Sequence, residues 1–314
     1  MSDLPCRPLG TAGPPVSVVG VGTWAMGGPW RMGWGRQDDR ESERTLRAAV
    51  DAGVTWVDTA PVYGDGHAEE LVGRCLQGRD DVLLLTKCGL AADGVDLTPA
   101  AVRRSCEQSL RRLRRERIDV LQLHWPDPGV EIEQTWQALV QLRDAGLVRW
   151  LGLSNHPLPL VERAHALASV DVIQLRLHLL DQRSLVDLVP WARSNGAAVL
   201  AYSALASGLL ALPLDLRTLP SGDWRRTDER FRFEAAAAPA VLAAMADLGV
   251  PPATAALAWA LGQEGVTGVI GGVRDRSELP DLLGAAAQTL TPSQRAVLDR
   301  AAAPTALADR AGLR

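Results

Sequence analysis

Lysine is almost absent from this sequence: of 33 basic residues only Lys87 is a lysine, and the rest are arginine. Tyrosine and phenylalanine occur twice each, and asparagine only at Asn155 and Asn195. A surface lysine exchanges for arginine at little cost in stability. A guanidinium cannot stand in where chemistry needs a compact, titratable ammonium. The scarce residues therefore mark the positions to inspect first. The four cysteines (Cys6, Cys75, Cys88 and Cys106) form no CxxC pair and no metal-ligand spacing, which excludes a disulfide scaffold and a zinc module. His67, His156, His165 and His178 also lack ligand spacing, and no metal is expected. No apolar h-region follows Met1 and no apolar run could cross a bilayer. A net charge of -4 argues against a surface that tracks phosphates. The expectation is a cytoplasmic protein with reduced thiols, and with neither nucleic acid nor membrane as partner.

What is present is a hydrophobic content of 47% in 314 residues, enough for a large core. Short apolar runs alternate with longer amphipathic segments, the pattern of βα units around a parallel sheet. A hairpin at 7–9 and 16–19 comes first, and eight runs follow at 19–23, 55–59, 82–87, 118–124, 150–154, 172–175, 198–202 and 266–270. Thr98-Pro99 reads as a helix start, and Ala145-Gly146 and Asn195-Gly196 as helix stops. Eight strands with intervening helices predict an α/β (β/α)₈ TIM barrel, a single domain over 1–314 with an N-terminal hairpin cap. A doubly wound sheet satisfies the same periodicity. Residues 206–250 interrupt the rhythm with a long loop after strand seven, a length typical of lids and binding loops.

In a barrel enzyme the reactive groups sit at the C-terminal ends of the strands. There the second run ends on Asp58 with Tyr63 in the loop behind it, the third on Lys87 and the fourth on His124. The fifth ends on Ser154-Asn155, the sixth carries Gln174, and the seventh ends on Tyr202-Ser203. A phenol is a poor acid at neutral pH, with an ordinary pKa of about 10. A neighbouring ammonium is expected to lower it, with a carboxylate holding the ammonium in place. Tyr63, Lys87 and Asp58 make such a set, and His124 can orient a carbonyl oxygen. A hydride must come from a cofactor, because no side chain supplies one.

Gly20-x-Gly22-x-x-Ala25 satisfies the dinucleotide-binding fingerprint, but Gly27-Gly28-Pro29 forbids the helix that motif requires. It is read as a coincidence. Residue 83, four before Lys87, is Leu, so no Tyr-x-x-x-Lys pair exists either.

The stretch from Gly53-Val54-Thr55-Trp56-Val57-Asp58 through Tyr63-Gly64 to Glu69-Glu70, with Leu85-Thr86-Lys87 and Asp119 through His124-Trp125-Pro126, resembles the aldo-keto reductase superfamily. The resemblance runs from the hairpin to about residue 287. It implies an NAD(P)H-dependent oxidoreductase interconverting a small-molecule aldehyde or ketone and its alcohol, with a tetrad of Asp58, Tyr63, Lys87 and His124. It further implies a cofactor site of Gly22, Thr23, Trp24, Ser154, Asn155, Gln174, Tyr202, Ser203, Leu205, Gly208, Gly272, Arg274 and Glu278. Trp24, Trp30 and Trp125 fall where such proteins bind substrate. Arg274 favours NADP, with NADPH the expected form and NAD the second candidate. Glu278 and Leu282 depart from the residues usual in that region. The alternative to an enzyme is a non-catalytic cofactor sensor or regulatory subunit on the same fold.

Overall fold

A computed structural model describes residues 4–308. Two short strands, β1 (Cys6–Pro8) and β2 (Pro15–Ser17), pair antiparallel as the expected hairpin. The eight barrel strands are β3 (Val19–Gly22), β4 (Trp56–Asp58), β5 (Leu83–Cys88), β8 (Ile118–Leu123), β9 (Val148–Ser154), β10 (Val172–Arg176), β11 (Ala198–Tyr202) and β12 (Gly268–Gly272). They close in that order, all parallel, into a (β/α)₈ TIM barrel. A small hairpin of β6 (Leu90–Ala91) and β7 (Gly94–Val95) projects after β5, a feature the apolar pattern does not reveal.

The barrel interior is filled by Leu9, Val16, Trp56, Leu83, Leu85, Val120, Val172, Leu200 and Ile270. Here the false fingerprint finds its physical reason. A Cβ at Gly20 would lie 2.3 Å from the Trp56 indole, and one at Gly22 would lie 2.5 Å from Ile270. Both glycines let large side chains fill the barrel. The segment that follows is a 3₁₀ turn at Trp24–Gly27, and the next α-helix begins only at Asp39. Below the barrel the hairpin is pinned by Arg7, whose Nη1 donates to the carbonyls of Leu261 and Val266 at 3.0 and 2.5 Å.

The outer helices include α1 (Asp39–Asp51), α2 (His67–Cys75), α4 (Ile132–Asp144), α5 (Leu158–Leu167) and α9 (Leu279–Ala287), and two of the others show how they begin and end as the sequence signals. Thr98 caps α3 (Pro99–Leu113) by accepting from the amide of Ala101, with Pro99 in the first turn. Gly196, at φ 70°, closes α6 (Leu188–Asn195) in the left-handed conformation that glycine adopts freely. The segment between β11 and β12 is a correction to the expected loop. It contains an 18-residue helix, α7 (Glu229–Ala246), capped by Asp228 and followed by α8 (Pro252–Leu261). The Ala-rich sequence there is weakly amphipathic, so helical periodicity is faint although helix propensity is high. α10 (Pro292–Ala308) packs along α7 outside the barrel. No helix among the described residues is long and apolar enough to cross a membrane.

Candidate active site

The strand ends bring the scarce residues to one mouth. Asp58 closes β4, Lys87 lies near the end of β5, and His124 follows β8 directly. Lys87 is 1% exposed and donates to Asp58 Oδ1 at 2.6 Å, to the Thr59 carbonyl at 3.0 Å and to the Tyr63 hydroxyl at 3.3 Å. The other oxygen of Asp58, Oδ2, accepts from Gln174 Nε2 at 2.7 Å. The amide and hydroxyl of Thr23 both donate to the Asp58 carbonyl, which ties the first barrel loop to the same residue. The Tyr63 and His124 rings meet edge to face with centroids 6.0 Å apart.

The electrostatics correct one expectation. Burial raises the Tyr63 hydroxyl above its ordinary value of 10.0, and the Lys87 ammonium offsets only part of that rise. The lysine acts in the expected direction, but desolvation of a buried phenol is the larger effect. Burial also works to lower Lys87, yet Asp58 and Tyr63 hold it above the usual lysine range. His124 is pushed well below 6.5 by burial and then by Lys87, so its imidazole is neutral at physiological pH. Its Nδ1 is buried and has no hydrogen-bond partner among the described residues.

Beside these four, Ser154 and Tyr202 end β9 and β11, and Gln174 lies in β10. Asn155 has φ 61° and spans the mouth: its amide donates to the His124 carbonyl and Ser154 Oγ, both at 3.0 Å, and its oxygen accepts from the Tyr202 hydroxyl at 2.6 Å. Ser203, Ala206 and Ser207 also take positive φ, as does Gly208 at 100°. Such a concentration outside glycine is the strain associated with ligand-shaping loops. Gly208 lies against Trp34 and Arg225, whose Nη1 donates to the Ser207 carbonyl. The adjacent Leu205 is half-buried against the core.

At the end of β12, Gly272 opens on free space. Arg274 follows, with its Nε buried and unpartnered and its guanidinium 5.5 Å from the Trp34 ring. Glu278 turns back on Arg274, accepting from its amide at 2.7 Å and standing 3.6 Å from its guanidinium. Among the described residues the buried polar atoms His124 Nδ1, Ser203 Oγ and Arg274 Nε have no hydrogen-bond partner, and with the positive-φ loop and the open face of Gly272 they suit an extended dinucleotide.

A profile of the aldo/keto reductase family matches residues 18–303. The chain belongs to the aldo/keto reductase family. Aldo-keto reductase YhdN of Bacillus subtilis is 37% identical over 224 residues, covering 69% of this chain and 67% of that protein. Aldo-keto reductase str7 of Strobilurus tenacellus is 33% identical over 320 residues, covering 95% and 92%. Among solved structures, the glycerol dehydrogenase AKR11B4 of Gluconobacter oxydans superposes with a TM-score of 0.84 at 34% identity over 97% of each chain. Aldo-keto reductase AKR11C1 of Bacillus halodurans, in its holo form, gives 0.78 at 25% identity over 95% of this chain and 96% of its own. This aldo/keto reductase is accordingly an oxidoreductase on the barrel its family shares.

Several residues of this aldo/keto reductase at or near the mouth escape a reading by strand ends. Trp24 and Trp30 lie on Tyr63 with ring centroids at 6.4 and 5.9 Å, whereas Trp125 stands apart from that cluster and is 44% exposed. Trp224, from the segment after β11, stacks on Trp24 with centroids 6.1 Å apart. Behind Lys87, fully buried Glu69 accepts from Thr86 and Arg112, both at 2.6 Å. Beside Tyr202, Arg176 pairs with Glu234 of α7 at 2.5 Å, and Arg230 of α7 pairs with Asp181. Buried His178, Asp181 and Glu234 bring potential ligand atoms within 4.8 Å of one another. Arg176, Arg183 and Arg230 already engage both carboxylates, so this cluster is an ion-pair latch between α7 and the barrel.

Proposed function

We propose that this protein is an NADP(H)-dependent carbonyl reductase, reducing a small-molecule aldehyde or ketone and catalysing the reverse oxidation. The observation that carries this reading is the buried triad in which one ammonium contacts both the Tyr63 hydroxyl and the Asp58 carboxylate. When bound, the reduced nicotinamide supplies the hydride. Ser154, Asn155 and Gln174 would hold the carboxamide end of that cofactor, Tyr202 would pack beside the nicotinamide, and Gly22, Thr23 and Trp24 would border it. Ser203, Leu205 and Gly208 with their neighbours would line the diphosphate. Gly272, Arg274 and Glu278 would meet the adenosine end, where the Arg274 guanidinium would favour a 2′-phosphate.

Tyr63 gives its proton to the carbonyl oxygen as negative charge develops there. Lys87 stabilises the phenolate left behind, and Asp58 keeps that ammonium in place. The neutral His124 directs the carbonyl oxygen toward Tyr63. The fit of free, buried thiols (Cys75, Cys88, Cys106) and a phosphorylated cofactor supports work in the cytoplasm. Titration of the tryptophan fluorescence with NADPH and NADH, followed by turnover of a carbonyl panel, tests the reading. Tyr63→Phe is expected to bind cofactor normally and to lose nearly all turnover. Retention of most activity in that variant would remove Tyr63 from its role.

A further inference from the structure

The proposed proton donor and the ammonium beside it stand on different elements. Tyr63 lies on the loop after β4 and Lys87 in β5, with 3.3 Å between hydroxyl and nitrogen. Directly behind Tyr63 the loop turns through Gly64, Asp65 and Gly66, all at positive φ (65°, 54° and 92°). Asp65 is not a glycine, so such a turn persists only where its surroundings over-determine it. Two neighbours do so. A Cβ at Gly64 would strike the Gly27 carbonyl, and one at Gly66 would stand 2.7 and 2.9 Å from Cδ and Nε of Arg112. The Arg112 side chain of α3 is therefore packed flush against the turn that carries Tyr63.

Arg112 is held in turn by Glu69 of α2, the helix that opens at His67 just past the turn. Arg112 Nε donates to Glu69 Oε2 at 2.6 Å, and Thr86 Oγ1 donates to Oε1 at 2.6 Å. Thr86 immediately precedes Lys87 in β5. Side chains alternate along a strand, so Thr86 turns toward the helices while Lys87 turns to the mouth. The two helices also meet backbone to backbone: a Cβ at Gly73 of α2 would strike the Arg112 carbonyl. One carboxylate thus ties together the turn behind Tyr63, the strand of Lys87 and α3. Resting on the carbonyl-reductase reading above, we propose that Glu69 is a positioning residue for proton transfer, which through Thr86 and Arg112 fixes the separation of the Tyr63 hydroxyl and the Lys87 ammonium.

A carboxylate is a costly way to fill this space. Glu69 is fully buried, and a buried ion pair is weak evidence for stability, since apolar side chains of the same volume often serve as well. What the carboxylate adds is two directed acceptors, one for each element it joins. The groups that face Tyr63 are Lys87, Asp58 and His124, and none of them is altered by a change at Glu69 or Thr86. The sign of the response separates position from charge. Losing a carboxylate would by itself ease ionisation of a nearby phenol, whereas drawing Lys87 away makes it harder. Thr86→Val changes no charge at all.

The test labels both tyrosines, Tyr63 and Tyr202, with ¹³C at Cζ and follows their ionisation by NMR, with Tyr202→Phe assigning the two signals. Lys87 holds the Tyr63 phenol down against the effect of burial. In Thr86→Val and Glu69→Gln the Tyr63 midpoint should therefore move to higher pH, by about half a pH unit or more. Turnover of a carbonyl panel with NADPH should fall roughly tenfold in kcat, while KM and the NADPH Kd stay within about threefold. Thr86→Ser keeps the hydroxyl and should recover both the midpoint and kcat. Thr86→Val leaves every charge in place, so it carries the test should Glu69→Gln fold poorly, which NADPH titration reports. The proposal is overturned if the Tyr63 midpoint in folded Thr86→Val stays or falls, or if kcat remains within about twofold of the wild type. A Thr86→Ser variant no better than Thr86→Val overturns it as well, and leaves Glu69 a brace between helices. The NMR midpoints judge the network whether or not a carbonyl is reduced. A wild type that binds NADPH and turns over no member of the panel therefore strikes the carbonyl-reductase reading alone.

Discussion

The Lys87 ammonium lies 2.6 Å from the Asp58 carboxylate in a site where both side chains are nearly sealed from solvent. A buried pair of this kind is weak evidence for stability but strongly constrains geometry, since removing one partner strands a charge. An arginine at 87 keeps the charge, yet its planar fork is larger and cannot place one nitrogen on Asp58, Thr59 and Tyr63 together. Lys87→Arg is therefore expected to lower kcat by ~10³-fold or more. Binding of NADPH, followed by fluorescence, should change by less than about threefold. Near-wild-type turnover would mean that the lone lysine survives by chance.

The pH dependence of turnover follows from the raised Tyr63 value. Reduction requires the phenol to hold its proton, and a value above 10.0 keeps it protonated through neutral and mildly alkaline pH. The kcat/KM for carbonyl reduction should stay level from about pH 6.5 to 9 and fall only near or above 10. Alcohol oxidation needs the phenolate and should rise across the same upper range. A descending limb for reduction near pH 7 would assign the proton to another group.

Acid should unfold the protein through its buried histidines. Burial depresses His124 and His178 well below 6.5, with Lys87 and Arg176 adding to the effect, and burial lowers His156 to about 4. In each case the folded value lies below the unfolded one, so the unfolded chain takes up the proton first. The associated stability is complete above pH 6.5 and drains as pH falls toward the folded values. Between pH 7 and 5.5 each histidine should cost about 1.2 kcal/mol, or roughly 3–4 kcal/mol for three. Urea midpoints measured at the two pH values check this, and a loss no larger than that of one histidine contradicts it.

The barrel, and the strand ends that bring the proposed catalytic residues to one mouth, were legible in the sequence because both rest on local rules. β-runs of period and length suited to a parallel barrel appear directly, and the strand ends fall on Asp58 and one residue from Lys87 and from His124. What escaped depends on contacts far apart along the chain. Gln174 stands out in the sequence by its place on a strand, whereas its hydrogen bond to Asp58 across 116 residues appears only in the fold. Trp224 shows no periodicity and gains meaning only by meeting Trp24, 200 positions away. Helix α7 is masked by its alanines, which favour helix without marking a buried face. The Tyr63 value was misjudged because a sequence reveals a neighbouring charge more readily than the depth of burial.

The latch joins α7 to the barrel through two buried carboxylates, Glu234 paired with Arg176 and Asp181 paired with Arg230. Arg176→Met leaves Glu234 with Arg230 as its remaining partner. The expected loss is about 3 kcal/mol, near the low end for breaking a buried pair. Opening should begin locally, so hydrogen exchange over 223–246 should quicken before global unfolding. The double variant Arg176→Leu/Glu234→Leu removes both charges and should recover part of the loss. Uniform exchange across the barrel in Arg176→Met would show that α7 is not held this way.

In the proposed NADP(H) reading, cofactor choice rests on the pair at the end of β12. Glu278 accepts from the Arg274 amide and stands 3.6 Å from its guanidinium, where it would compete with and repel a 2′-phosphate. Glu278→Gln keeps the acceptor for the amide and removes the charge. Both side chains are partly exposed, so the electrostatic gain is modest, about 1 kcal/mol. NADPH affinity should rise roughly three- to tenfold while NADH changes by less than about twofold, because NADH carries no phosphate to repel. Higher salt should shrink the NADPH gain, since it screens an exposed pair. An equal change for both cofactors would place the 2′-phosphate away from Arg274.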